Sequence, residues 1–131
     1  MTRINCVSPS ELVDKHLLAE YRELPRVFAL ARAPRSGEAF PSEYTLGRGH
    51  VTFFYDKLGY LANRHSQLVK EMLRRGFKPS MKVDDMWHNS EKAGGQVEHE
   101  LFGHWEPTEA AMGVNRGRIA QRLAEMEARR G

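Results

Sequence analysis

Apolar residues recur at helical spacing in three stretches of the chain. Val13, Leu17, Tyr21, Leu24, Phe28 and Ala31 follow at intervals of 4, 4, 3, 4 and 3, which is one stripe on one helix face. Ser10, just ahead of Glu11, is the expected N-cap. Pro25 lacks a backbone N–H and is expected to kink this helix. Val51, Phe54, Leu58, Leu61, His65, Leu68 and Met72 repeat at 3, 4, 3, 4, 3 and 4 and predict a second helix. It ends at Arg74-Arg75-Gly76, with cations at the negative end of the helix dipole and a glycine for the left-handed turn. A weaker third helix opens near Pro107, with Met112, Ile119, Leu123 and Met126 on its apolar face. Its Gly113-x-x-x-Gly117 spacing reads as room for close packing.

Between these helices, residues 33–49 are rich in Gly, Pro and Ser and read as a loop, with Gly47-Arg48-Gly49 turning into the second helix. Residues 77–106 are polar and show no period. No stretch alternates as a strand would. The pattern therefore predicts an all-α fold, a compact single domain over 1–131 with three main helices and long irregular loops.

Composition narrows the class. No apolar run approaches the ~20 residues that span a bilayer, and no signal-peptide pattern opens the chain. Cys6 is the only cysteine, so no intrachain disulfide can form. These features imply a soluble intracellular protein. The net charge is +3, unevenly spread. Residues 83–109 hold seven acids and one base, whereas residues 1–82 hold fourteen bases against eight acids and residues 110–131 five against two. A basic body with one acidic segment suits a polyanion that touches the former and avoids the latter, although proteins that bind no nucleic acid share such asymmetry.

Candidate chemistry is sparse. Thr2 behind the initiator Met is small enough for Met1 to be removed, which would free an α-amine. Such an amine titrates near 7.7–8 against about 10.4 for Lys, so part of it is neutral and nucleophilic at pH 7. On the first helix, His16, Arg22, Glu23 and Arg26 fall opposite the apolar stripe, with Lys15 beside them. They read equally as a solvated face with an i,i+3 ion pair or as a carboxylate within a cationic patch. His88, Glu98, His99, Glu100 and His104 match no trusted zinc spacing, and no metal is expected. His65, on an apolar stripe, reads as a packed, hydrogen-bonded histidine.

Taken together, MTRIN, SELVDKHLLAEYRELPRVF over 10–28 and LGRGHVTFFYDKL over 46–58 closely resemble the phage-type pyrimidine-dimer DNA glycosylase/AP lyase family. RRGF at 74–77, PTEA at 107–110 and IAQR at 119–122 continue the likeness. It departs at Lys15 (Gln in the phage enzymes), in a shorter 33–49 loop, over 78–106 and in the C-terminal tail. The resemblance implies an all-α monomer that acts without metal or cofactor on double-stranded DNA carrying ultraviolet lesions or abasic sites. It implies that the Thr2 amine attacks the sugar C1′ of the 5′ nucleotide of a cyclobutane dimer, and that β-elimination from the resulting imine nicks the strand. Glu23 matches the essential carboxylate, Arg3, Arg22 and Arg26 match phosphate-holding residues, and His16 matches a histidine lining the site. Arg118 and Arg122 on the third helix are expected to extend that phosphate surface, with the acidic 83–109 segment off the DNA. The alternatives are a lyase acting mainly on abasic sites or other damaged bases, and a catalytically silent binder of damaged DNA.

Overall fold

In this computed structural model, which describes residues 2–80 and 99–130, the chain folds into α1 (Asp14–Leu30), α2 (His50–Phe53), α3 (Leu58–Arg74) and α4 (Glu109–Arg130). Short 3-10 turns cover Pro9–Glu11 and His99–Leu101. The described residues contain no strand, only an isolated antiparallel bridge between Lys57 and Phe102. None of the described helices is long and apolar enough to cross a membrane.

The first apolar stripe gives α1, but the helix starts later than its N-cap signal implies. Ser8, not Ser10, accepts the first N–H, and it caps the Pro9–Glu11 turn. Leu12 and Val13 are then extended, and Leu12 is driven into the core while Val13 stays exposed. Arg75 secures this corner by donating to the carbonyls of Pro9 and Leu12 at 3.2 and 2.7 Å. Pro25 lies inside α1 without ending it. Leu24, Val27 and Phe28 around it are all buried, and such burial contributes about 1.5–3 kcal/mol per side chain, enough to offset a missing helix bond.

The second stripe proves to be two helices. Phe53, Phe54 and Tyr55 are consecutive and all buried, which no single helix face can achieve at 100° per residue. The chain answers with tight i→i−3 bonds after α2 (Phe54 to Val51, Tyr55 to Thr52, Lys57 to Phe54) before α3 begins. The end of α3 is as its sequence implies. Gly76 is left-handed (φ +89°), its N–H bonds the Leu73 carbonyl, and the Phe77 N–H bonds Met72, completing a Schellman closure. Gly47 and Gly49 are also left-handed and turn the chain into α2.

Leu17, Leu24 and Phe28 of α1 join Leu61, Leu68 and Met72 of α3 in one buried cluster where the two helices pack. His65 is fully buried there and stacks on Tyr21 with ring centroids 5.4 Å apart. On α4, Thr108 caps the first turn by accepting the Ala111 N–H, and Ala111, Asn115 and Ile119 form the buried face. A Cβ at Gly113 or Gly117 would meet nothing within 4 Å, so this glycine pair serves no close packing.

Candidate active site

Residues 2–7 belong to no helix or strand, so their peptide groups need partners from elsewhere. Side chains supply them. The Ile4 N–H donates to His50 Nε2 at 2.8 Å, and the Tyr44 hydroxyl donates to the Ile4 carbonyl at 2.9 Å. Asn115 Oδ1 on α4 accepts the N–H groups of Cys6 and Val7 at 2.8 and 3.2 Å. Arg64 of α3 donates to the Val7 carbonyl at 2.5 Å, and the Tyr60 hydroxyl to that of Asn5 at 3.4 Å. The Asn5 side chain donates to Glu20 Oε1 of α1 at 2.8 Å. The amino-terminal segment is thus threaded between the helices and bonded on all sides.

Its first described residue reaches the polar side of α1. Thr2 Oγ1 donates to Glu23 Oε2 at 3.1 Å, and the same oxygen accepts Arg26 Nη1 at 3.0 Å. Glu23 keeps 35% side-chain exposure and Arg26 72%, so the pair is open to a ligand.

A cleft of about 240 Å³ opens beside this contact, lined by Arg3, Asn5, Lys15, His16, Glu20 and Glu23 on one side and by Arg122 and its α4 neighbours on the other. A smaller recess of about 50 Å³ is lined by Thr2, Arg3, His50, Arg118 and Arg122, among others. Seven of the eight residues singled out in the sequence therefore gather in one region: Thr2, Arg3, His16, Glu23, Arg26, Arg118 and Arg122. Arg22 is exposed on α1 and lines neither cavity. His16 lines the cleft from α1. It is 9% exposed and forms part of the cleft wall.

The region is electrostatically cationic. Burial lowers the His16 pKa, and the charges of Arg3, Lys15 and Arg122 lower it further, so the imidazole is neutral at pH 7. The Arg3 pKa is also lowered, chiefly by desolvation, with Tyr44 and Glu20 opposing and Arg122 and Arg118 adding to the effect. Five cationic side chains, Arg3, Lys15, Arg118, Arg122 and Arg129, line the two cavities and would attract a phosphodiester backbone.

The sequence reading missed Asn5, Glu20, His50, Arg64 and Asn115, all buried and all bonded to this segment or to one another. Among the described residues, no three His, Cys, Asp or Glu side chains group as metal ligands. Of the residues weighed for that role, His88, Glu98 and the His99 side chain lie outside the described residues, as does most of the acidic 83–109 segment.

The family model described as pyrimidine dimer DNA glycosylase matches residues 1–85. That span contains α1 to α3, the bonded amino-terminal segment, and Thr2, Arg3, His16, Glu23 and Arg26. Arg118 and Arg122 lie beyond it. The chain belongs to the pyrimidine dimer DNA glycosylase family, whose members are DNA repair enzymes acting on DNA.

Proposed function

We propose that the protein is a bifunctional glycosylase and AP lyase whose nucleophile is the α-amine of Thr2, exposed by removal of Met1. The observation that carries this reading is the Thr2 Oγ1 to Glu23 Oε2 contact of 3.1 Å between residues 21 positions apart. It sets a carboxylate against the residue whose amine, in this reading, is the nucleophile, and imine chemistry on a sugar requires both groups.

The neutral amine attacks C1′ of the 5′ nucleotide of a cyclobutane dimer. The C1′–N glycosidic bond breaks, its electron pair leaves with the base, and the base takes up a proton. The new ammonium loses a proton, the freed nitrogen lone pair forms the C1′=N bond as the C1′–O4′ pair leaves with O4′, and O4′ takes up a proton to become a hydroxyl, giving a protonated imine. Loss of a C2′ proton then expels the 3′ phosphate by breaking the C3′–O bond, and water later releases the protein from the cleaved strand. Glu23 stabilises the cationic character at the sugar and afterwards takes the C2′ proton. Arg3 and the other nearby arginines favour the neutral amine through like-charge repulsion, and hold the flanking phosphates.

Arg3, Arg22, Arg26, Arg118 and Arg122 contact the backbone, and His16 lines the lesion pocket as a neutral group. Extrusion of the damaged nucleotide costs a few kcal/mol, least at a site already poorly stacked. The whole chain acts as one domain and as a monomer, without metal or cofactor. Borohydride trapping on a duplex with one abasic site tests the scheme. Protein of a mass lacking Met1 should form a covalent adduct, and protein with an acetylated or Met-retaining terminus should not. Undiminished trapping by the blocked protein would overturn the Thr2 assignment and point to a lysine, Lys15 first, because it lines the cleft.

A further inference from the structure

Asn115 lies outside the residues that the family model matches, yet it is fully buried and bonded to the segment that carries Thr2. Its Oδ1 accepts two backbone N–H groups, from Cys6 and Val7, and this fixes which end of the amide faces the segment. Nδ2 is left to donate to Asn5 Oδ1 at 2.7 Å. That same Asn5 oxygen accepts Arg3 Nε at 2.9 Å, and Asn5 Nδ2 donates to Glu20. An Asn5 amide turned over would set its NH₂ against two donors and its oxygen against a carboxylate. Asn115 therefore helps to lock the Asn5 orientation that holds Arg3, and Arg3 lines both cavities.

We propose that Asn115 is a positioning residue of the active site. Through Asn5 it fixes the Arg3 guanidinium, and through the Cys6 and Val7 amides it fixes the segment that carries Thr2. It touches no substrate, since none of its surface is exposed. The assignment rests on Thr2 being the nucleophile. Misplacing reacting groups by about 1 Å costs about 10²-fold in rate, whereas a shifted Arg3 weakens one phosphate contact among several, so the effect falls mainly on the chemical step.

The test compares wild type with Asn115→Ala and Asn115→Asp at pH 8, each below its melting transition. The Asp variant keeps an acceptor for the Cys6 and Val7 N–H groups, which favour its ionised form, but loses the donor to Asn5. The readouts are the single-turnover rate of borohydride-trapped adduct on an abasic duplex and duplex affinity by anisotropy. Both variants should trap roughly ten- to a hundredfold more slowly, with affinity within about threefold of wild type. Wild-type trapping rates in either folded variant would overturn the proposal. So would failure of both to fold, which would make Asn115 a folding residue only. If wild type itself fails to trap, the imine reading fails, and the Arg3 Nε–H resonance in a ¹⁵N spectrum decides the positioning claim. Movement of that resonance in both variants supports the Asn115–Asn5–Arg3 chain, and an unchanged resonance overturns it.

Discussion

Arg64 Nε lies 2.7 Å from Glu20 Oε2 and Arg64 Nη2 3.0 Å from Oε1, with the two side chains at 2% and 0% exposure. The pair joins α3 to α1 and continues into the amino-terminal segment, because Arg64 also bonds the Val7 carbonyl and Glu20 also accepts from Asn5. Two charges out of water are costly to assemble, and removing one leaves the other uncompensated. Arg64→Leu should therefore lose about 3–5 kcal/mol in urea unfolding. Adding Glu20→Leu to it should restore part of that loss, since no buried charge then remains. A single variant as stable as wild type would show that the pair does not hold the helices together.

Glu23 is placed differently. It is 35% exposed and bonded to Thr2 and Arg26, and it is not among the buried core residues. Glu23→Gln should keep the wild-type melting temperature and its affinity for damaged duplex, while the rate of dimer cleavage falls by about 10²-fold or more. Steady-state cleavage alongside anisotropy separates the two quantities. Cleavage near the wild-type rate would remove the carboxylate from the mechanism.

Acid should loosen the amino terminus through His50. Its Nε2 accepts the Ile4 N–H while Nδ1 donates to the Thr45 carbonyl at 2.7 Å, so the bonded form is the neutral one. Burial lowers its pKa, the Thr45 bond opposes, Arg3 and Arg118 push it down and Glu20 pushes it up. With the folded-state pKa below the unfolded value of about 6.5, the unfolded chain binds more protons at acid pH. Stability is then fully present above about 6.5 and is lost as the pH falls through the folded-state pKa. His16, lowered for similar reasons, adds to the same window. The carboxylates of Glu38 and Glu71, held at about 2 by hydrogen bonds from Arg32 and from Arg74 and Arg75, act only at lower pH. Melting temperatures from pH 7.5 to 5 should fall in wild type and fall less in His50→Gln. Parallel curves would place the proton uptake elsewhere.

Salt should reveal which arginines meet phosphate. Each phosphate contact contributes about 0.9 to the slope of log affinity against log salt. Arg118 lines the recess beside Thr2 and Arg26 stands exposed beside Glu23, so Arg26→Gln and Arg118→Gln should each flatten the slope by about 0.9 on damaged and undamaged duplex alike. The slope is read by anisotropy at several salt concentrations. An unaltered slope in either variant would take that arginine off the DNA surface.

α1, α3 and α4 were legible in the sequence because burial and periodicity coincide there, and the Gly76 closure because a glycine suits its left-handed backbone, but the break between α2 and α3 was not, since the stripe runs through it. The start of α1 was not legible. Ser8 and Ser10 can each cap, and Pro9 between them decides through a turn too short to leave a period. The buried polar residues were hidden by their type, although their spacing exposes them. Glu20 follows Leu17 by three and precedes Leu24 by four, Arg64 stands in the same relation to Leu61 and Leu68, and Asn115 lies four from both Ala111 and Ile119. Each polar side chain thus occupied a core position. What periodicity lacked was the partner, a segment without secondary structure of its own whose peptide groups those side chains satisfy.

The threaded segment also sets an order of events during synthesis. Cys6 and Val7 are held by Asn115, 109 and 108 residues further along the chain. At roughly 5–20 residues per second, that partner emerges about 5–20 seconds after the amino terminus itself. The first residues made are among the last to be secured. Under the proposed function the terminus is open to an aminopeptidase during that interval, and the last of its bonds forms only when α4 arrives. Maturation of the proposed nucleophile and its confinement are thereby separated in time by the length of the chain.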